Sequence, residues 1–127
     1  MKNKFYLLVV GSRSLTIYSL IENYLDKLVA ERLSDYDIVV VSGGAKGVDT
    51  LAERWADNKG YEKVIMPADW EKEGRSAGFK RNARMHQFIA DKEHRLVVAF
   101  WDGASKGTAH NFELCKQYDN ELLVIRL

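Results

Sequence analysis

Residues 39–56 read VVVSGGAKGVDTLAERWA, and this stretch decides the fold. A β-branched run leads through glycines at positions 43, 44 and 47 into apolar residues at helical spacing, namely Val48, Leu51, Ala52, Trp55 and Ala56. The pattern predicts a buried strand, a glycine-rich turn and a helix that packs back on the strand. Such strand–loop–helix units are the building blocks of parallel sheets.

The same alternation extends along the chain in both directions. Short apolar runs predict strands at residues 4–10, 37–42, 63–67, 95–101 and 121–127. Amphipathic stretches predict helices between them, with Ser19 and Glu22 as a capping box if the first helix begins late. We therefore predict an α/β fold, a three-layer Rossmann-like sandwich with helices on both faces. Its open, mostly parallel five-stranded sheet has the order 3-2-1-4-5.

Length and composition bound the class of protein. With 127 residues, of which 46% are hydrophobic, we expect one domain over residues 1–127. A formal net charge of +1 gives no overall field for nucleic acid, so a nucleic-acid partner is not expected. A single cysteine and the lack of a long apolar run favour a cytoplasmic protein without a membrane segment. Nothing in the residues demands a homo-oligomer, although a domain of this size can pair with itself.

In this sheet order the winding reverses between the first and fourth strands, and ligands bind beyond the carboxyl ends of the strands at that point. Three loops are expected to meet there, GSRS at 11–14, SGGAKG at 42–47 and DGASKGT at 102–108. Each is rich in small residues and carries a cation. We expect the three loops to form one crevice.

The glycine-rich loop has two interpretations. It is a tight strand-to-helix turn, or it is a backbone cradle in which glycines and a helix N-terminus approach a phosphate. The loop is not a Walker sequence, and GSRSLT after the first strand is not a dinucleotide fingerprint. These departures argue against a magnesium-dependent nucleotide hydrolase and against a standard NAD dehydrogenase.

Two charged residues next to these loops also have two interpretations each. Asp49 either caps the following helix or complements its dipole, or it contacts a ligand hydroxyl or amine, such as a ribose. Arg13 is either a solvated loop residue or a bidentate phosphate contact.

The predicted helix over residues 77–92 carries polar residues where apolar ones belong. Ala77 and Arg81 are expected at the margins of its inward stripe. The stripe itself should consist of Gly78, Asn82, Met85, Phe88 and Ile89. A buried guanidinium needs a partner, which is either an acid such as Asp49 or Asp102, or a ligand phosphate. The remaining cations, Arg75, Lys80 and Arg84, are interpreted as a solvated face.

At the start of the last helix, Lys106 is placed to reach a phosphate, and Ser105, Gly107 and Thr108 offer donors, although Thr108 also fits a simple cap. Trp70 and Trp101 are candidates to stack on a base, with the protein core as the other interpretation. The spacing of the three histidines, of Cys115 and of the acids predicts no metal site, and Cys115 is expected in the core.

Together these stretches resemble the SLOG superfamily, the Rossmannoid domain shared by DNA-processing protein A and the Lonely Guy phosphoribohydrolases. The branch resembled is the small YspA/cpYpsA-related one. Matching stretches are VVGSRSLT at 9–16, SGGAKGVDTLAERWA at 42–56, PADW at 67–70, GRSAGFKRNARM at 74–85 and VVAFWDGASKGTAH at 97–110. The resemblance implies a Rossmann-like pocket for a nucleotide-derived ligand.

Two departures limit what the resemblance implies. Lonely Guy enzymes carry P-G-G-x-G-T-x-x-E with a catalytic glutamate, whereas this chain has Asn111 at that position, and asparagine is no general base. DNA-processing protein A is similar over the first two loops, but the charge of this chain is balanced.

We therefore expect a SLOG-like domain that binds a small phosphorylated nucleotide or an NAD/ADP-ribose-type ligand for sensing or sequestration. The alternatives are hydrolysis of such a ligand, with Asp49, Asp102 or Glu113 in place of the missing glutamate, and single-stranded DNA binding. The predicted binding residues are Gly11, Ser12, Arg13, Ser42, Gly43, Gly44, Gly47, Asp49, Trp70, Gly78, Arg81, Asn82, Asp102, Gly103, Ser105, Lys106, Gly107 and Thr108.

Overall fold

In the computed structural model, which describes residues 2–127, strands and helices alternate along the chain. The strands are β1 (Lys4–Gly11), β2 (Asp37–Ser42), β3 (Glu62–Ile65), β4 (Arg95–Trp101) and β5 (Leu122–Arg126). The helices are α1 (Tyr18–Leu28, extended by a π-helical turn over Val29–Leu33), α2 (Val48–Lys59), α3 (Trp70–Glu73, followed by a 3₁₀ turn over Gly74–Ser76), α4 (Ala77–Ala90) and α5 (Lys106–Tyr118).

All five strands pair in parallel, in the order β3-β2-β1-β4-β5. Leu7 in the central strand is the register partner of Val40 on one side and of Leu96 on the other. The predicted fold class and strand order are confirmed. Because every connection between parallel strands crosses over, the chain must place a helix or long loop after each strand.

The helices cover both faces of the sheet. On one face, alternate β1 residues such as Leu7 and Val9 pack with the apolar sides of α1 and α2, including the fully buried Trp55. On the other face, Leu8 and Val10 pack with α4 and α5. The alternation follows from the two-residue period of a strand, which sends successive side chains to opposite faces.

Three local predictions were wrong. Helix α1 begins after Ile17 without a side-chain cap, so Ser19 and Glu22 form no capping box there. The sequence ADWEKEGRS at 68–76 predicts a loop, but this stretch contains α3, because the Asp69 carboxylate accepts a hydrogen bond from the Lys72 N–H at 3.1 Å.

The inward stripe of α4 is also shifted from the prediction. Ala77, Arg81 and His86 are buried, whereas Gly78 and Phe88 are partly exposed. Helix α4 packs against both the sheet and α5. It therefore buries a wider face than a helix that contacts only a sheet, and that face includes polar side chains.

Among residues 2–127, no helix is both long enough and apolar enough to cross a membrane.

Gly47, the residue before α2, packs against the backbone of Ser12 and Arg13 in the loop after β1. It adopts φ 76° and ψ −127°, and a Cβ there would overlap the carbonyl oxygen of Ser12. Gly60 also has a positive φ, of 74°, but a Cβ at that position would have no neighbouring atom within 4 Å.

We predict that Gly47→Ala lowers the free energy of unfolding by at least about 2 kcal/mol, because it combines a strained backbone with a steric overlap. Gly60→Ala is the matched control and is expected to cost only about 1 kcal/mol. Urea denaturation of both variants measures the difference. Equal losses would show that the close approach at Gly47 does not matter.

Candidate functional site

The three predicted loops meet at the carboxyl edge of the sheet, beside a cleft of about 190 Å³. The cleft lies where β1 and β4 are neighbours and their connections leave in opposite directions, which is the switch point of the sheet. Its lining comes from β1 and the loop after it, the glycine-rich loop, α2, the α3 region, α4 and α5. The lining residues are Val10, Gly11, Arg13, Ala45, Asp49, Trp70, Arg75, Gly78, Phe79, Arg81, Asn82, Met85, Ser105, Gly107, Thr108 and Asn111.

Arg81 lies in the wall of this cleft and is only 6% exposed. One terminal guanidinium nitrogen donates to the Gly43 carbonyl oxygen, and Nε donates to Asn82 Oδ1 at 2.9 Å. Gly43 has to be small, because a Cβ there would lie 2.6 Å from Arg81 Nη1 and 2.9 Å from Asp49 Oδ2. The sequence stretch SGG therefore allows a buried arginine and a buried carboxylate to approach the loop backbone.

Neither of the two acids named as possible partners of Arg81, Asp49 and Asp102, forms an ion pair with it. Among residues 2–127, no carboxylate forms an ion pair with this guanidinium. Asp49 acts on it only through space, and Asp102 is occupied within its own loop. The protein thus supplies Arg81 with neutral oxygen acceptors, which leaves its positive charge without a bonded anion.

Within the described chain, Asp49 is the one carboxylate that lines the cleft, and it is 7% exposed. Its Oδ2 accepts a hydrogen bond from the Ala45 N–H at 3.2 Å, so it fixes the glycine-rich loop. The interpretation as a helix cap is wrong, since α2 begins at Gly47 without a side-chain cap, but Asp49 does lie in the first turn of α2, where an acid complements the helix dipole. Burial raises the pKa of the Asp49 carboxyl to about 6, and the Ala45 N–H and the Arg81 guanidinium oppose this rise.

The first turn of α5 forms the opposite wall. Ser105 is the N-cap, and its Oγ accepts from the Thr108 N–H at 3.4 Å. Asp102 Oδ1 accepts from the N–H groups of Ala104 and Ser105, at 2.8 Å each, and these bonds lower the pKa of Asp102. The loop that precedes α5 is therefore held by its own side chains, with the helix N-terminus at the cleft.

Exposed aromatic and cationic side chains surround the mouth. Trp70 is 52% exposed, and the Arg13 guanidinium carbon lies 5.8 Å from its ring centroid. Phe79 and Arg75 complete this side of the cleft. Trp101 does not take part, because it packs edge-on against Phe112 and donates its Nε1–H to the Ser105 carbonyl.

Ten of the predicted binding residues line the cleft: Gly11, Arg13, Asp49, Trp70, Gly78, Arg81, Asn82, Ser105, Gly107 and Thr108. The other eight do not, namely Ser12, Ser42, Gly43, Gly44, Gly47, Asp102, Gly103 and Lys106.

Several of these eight residues hold the frame of the site instead. Ser42 Oγ donates to Glu53 at 2.6 Å, and Gly103 lies against the Arg126 guanidinium. Ser12 Oγ accepts from the Asp102 N–H at 3.2 Å. The hydroxyl groups of Ser42 and Ser12 are thus hydrogen-bonded within the protein.

Six lining residues are not among the predicted binding residues: Val10, Ala45, Arg75, Phe79, Met85 and Asn111. The sequence predicts Arg75 on a solvated face and Met85 in the core. Asn111 could have been predicted from the sequence, because it is a polar residue one turn after Gly107 on the apolar side of α5. It is buried there. Phe79 carried none, since an aromatic residue on a helix most often indicates the core.

We predict that Asp49→Asn stabilises the unliganded protein above pH 6. The folded pKa of about 6 lies above the ordinary 3.8, so the folded chain prefers the protonated carboxyl. The contribution of the Asp49 carboxyl to the free energy of unfolding is therefore present at low pH and is lost as the pH rises from about 4 to about 6. The amide keeps an acceptor for Ala45 and carries no charge, and the expected gain is about 2 kcal/mol at pH 7.5, declining towards zero at pH 4.

Urea denaturation at several pH values measures this gain, with the exposed Glu113→Gln as the control that should show no such trend. A variant that is less stable than the wild type at pH 7.5 would contradict the assignment.

Comparison with known proteins gives the family of the chain. The model of the YspA, cpYpsA-related SLOG family matches residues 5–72, which include the glycine-rich loop, Asp49 and Trp70. The Gene 61 protein of Mycobacterium phage D29 is 42% identical over 82 residues, which is 61% of this chain. The aligned part spans only 62% of that phage protein.

A solved structure shares the fold at low sequence identity. The C-terminal domain of a hydrogenase from Pyrococcus furiosus has a TM-score of 0.52 and 12% identity, covering 98% of this chain and 94% of that one. A predicted subunit of a tRNA methyltransferase from Methanocaldococcus jannaschii has a TM-score of 0.43 and 16% identity, covering 98% and 68%. Because the family model matches more than half of the residues, the chain belongs to the YspA, cpYpsA-related SLOG family.

Proposed function

We propose that the cleft binds a small phosphorylated ligand of the nucleotide type, such as an NAD or ADP-ribose derivative, in a sensing or sequestering role. One observation carries this proposal. Arg81 is buried in the cleft wall with neutral hydrogen-bond partners and no ion pair among residues 2–127. A buried cation without an anion is costly, and an anionic ligand would remove that cost.

The other charges of the cleft support an anion as well. Arg13 and Arg75 lie at the mouth, so the lining drawn from residues 2–127 has three arginines against the single carboxylate of Asp49. The chain as a whole has a net charge of only +1, so this positive charge is local. The N-terminus of the 13-residue helix α5 adds a partial positive charge on the same side.

The remaining lining fits the rest of a nucleotide. Trp70 and Phe79 are both about half exposed and offer aromatic faces for a base. Asp49 offers a carboxylate oxygen to a ribose hydroxyl. A phosphate, a sugar and a base would then each meet a matching group of the cleft.

Binding of AMP, ADP-ribose and NAD to the purified protein tests the proposal, with adenosine as the ligand that lacks phosphate. We expect at least one of the phosphorylated compounds to raise the melting temperature and to bind in calorimetry, and adenosine to bind more weakly. Arg13→Ala and Arg75→Ala should each weaken binding about tenfold, because each removes a charge-assisted contact.

Lys116→Ala is the matched control, since this exposed α5 cation lies outside the cleft lining. It should leave the affinity unchanged. Loss of binding in the control as strong as in the cleft variants would mean that overall charge, and not the cleft, attracts the ligand. A labelled oligonucleotide that binds more tightly than all three nucleotides, with a steep salt dependence, would favour the nucleic-acid alternative.

A second candidate function, hydrolysis of the bound ligand, is favoured by the position of Asp49. Of the acids in the described part of the chain, it alone lines the cleft, and its pKa of about 6 suits a general acid or base near neutral pH. Asp102 and Glu113, the other acids considered, do not line the cleft. In this reaction water would add across an N-glycosidic bond, giving a free base and a ribose phosphate.

Mass spectrometry of the incubated ligands separates binding from hydrolysis. Unchanged ligand supports the binding role. Released base that disappears in Asp49→Asn supports hydrolysis through this carboxylate, and release that persists in the variant contradicts it.

A further inference from the structure

A row of hydrogen-bonded polar side chains connects the start of β4 to the cleft. Its members are Arg95, Asn120, His86 and Asn111. At its centre is His86, which is fully buried between α4 and α5. Its Nε2 lies 3.0 Å from Asn111 Oδ1, and its Nδ1 lies 3.1 Å from Asn120 Nδ2. Both asparagines are buried as well. The nucleotide-binding role proposed above makes no use of His86 or Asn120.

Arg95 fixes which atom donates and which accepts in each hydrogen bond of this row of side chains. A guanidinium can only donate, and Arg95 Nε lies 2.6 Å from Asn120, so the atom that faces it is the amide oxygen. The Asn120 amide nitrogen then faces His86 Nδ1, which must be the bare, accepting nitrogen. The ring proton is therefore on Nε2, which donates to Asn111 Oδ1.

This orientation decides what Asn111 shows to the cleft. With its oxygen held by His86, its Nδ2 donates to the Gly107 carbonyl at 3.1 Å. An amide nitrogen carries two hydrogens, and Gly107 takes one of them. Asn111 lines the cleft, and of its two amide atoms only Oδ1 is turned to His86, so we infer that the second N–H of Nδ2 is the group it offers to a ligand.

Asn82 repeats the arrangement on the neighbouring helix. Its Oδ1 accepts from Arg81 Nε, and its Nδ2 donates to the same Gly107 carbonyl at 3.4 Å. Two amides are thus turned with nitrogen towards the first turn of α5, and each is oriented by an arginine that can only donate.

We propose that Asn111 is a further ligand-binding residue that selects hydrogen-bond acceptors, and that Arg95, Asn120 and His86 are positioning residues that hold its amide in this orientation. The inference rests on the proposed function. A phosphate or carbonyl oxygen satisfies the free N–H of Asn111, whereas a group that can only donate does not. Burial lowers the pKa of His86 to about 4, so the ring has one proton at neutral pH. The hydrogen bonds to Asn111 and Asn120 require this single proton, because one ring nitrogen donates and the other accepts.

Asn120→Asp tests the positioning role from outside the cleft, because Asn120 does not line it. The new carboxylate still accepts from Arg95 and now accepts from His86 Nδ1, so at a pH where the ring carries a single proton that proton moves to Nδ1. The unprotonated Nε2 then accepts a hydrogen bond from Asn111 Nδ2. The Asn111 amide has to rotate for this, which turns its oxygen towards the cleft. We expect the affinity for AMP or ADP-ribose, whichever the wild type binds, to fall at least tenfold.

Two further variants complete the design. Asn111→Asp keeps an acceptor for His86 but has no donor for the ligand, so it should lose at least as much affinity. Gln117→Glu adds the same negative charge at an exposed position of α5 and should leave the affinity unchanged. Circular dichroism and melting curves establish that each variant is folded.

Two-bond ¹H–¹⁵N spectra of the histidine rings read the tautomer directly. We expect a protonated Nε2 and a bare Nδ1 for His86 in the wild type, and the reverse in Asn120→Asp. The opposite tautomer in the wild type, an unchanged tautomer in Asn120→Asp, or full affinity in either Asn120→Asp or Asn111→Asp would overturn the inference.

The outcomes distinguish this inference from the proposed function. If the wild type binds a nucleotide and the two variants bind it equally well, the proposed function stands and the inference fails. If the wild type binds none of AMP, ADP-ribose and NAD, the proposed function fails, and the role of Asn111 as a ligand donor fails with it.

Discussion

The buried guanidinium of Arg81 is the group on which the architecture of the site depends. It comes from α4 on one face of the sheet and reaches the Gly43 carbonyl in the loop between β2 and α2. The glycine at position 43 makes this approach possible, and an Asp49 carboxylate oxygen approaches the same position that a Cβ would occupy. Since no anion is bonded to Arg81 within residues 2–127, the cleft holds a desolvated positive charge.

The sheet brings the loops together, and Ser12 holds them in place. Its N–H donates to the Phe100 carbonyl at the end of β4, and its own carbonyl accepts from the Val48 N–H at the start of α2. Its hydroxyl accepts from the Asp102 N–H. Ser12 therefore connects all three loops at the switch point, and Gly47 leaves the space that its carbonyl needs. This frame leaves Arg13, Asp49 and the start of α5 free to face the cleft.

The sequence predicts the fold and the location of the site because both depend on periodicity and loop composition. Five apolar runs separated by amphipathic helices permit few topologies, and glycine-rich loops at strand ends mark the carboxyl edge. Composition does not reveal which atoms of a loop face the cleft. Ser12 and Ser42 resemble phosphate-binding serines in sequence, yet both are bonded within the protein. The role of Asn111 depends on a chain through Asn120 and Arg95, which are distant in sequence, so only the packing of α4 against α5 could show it.

The most direct measurement is an amide ¹H–¹⁵N spectrum of the labelled protein during titration with ADP-ribose. If the cleft binds this ligand through its phosphates, the largest shifts should occur at Arg13, at residues 43–49 and at residues 105–111, and should saturate together. Residues at the opposite edge of the sheet, such as Asp37 and Glu62, should not move. Saturable shifts at that opposite edge, or a spectrum unchanged at millimolar ADP-ribose, AMP and NAD, would contradict a nucleotide site in this cleft.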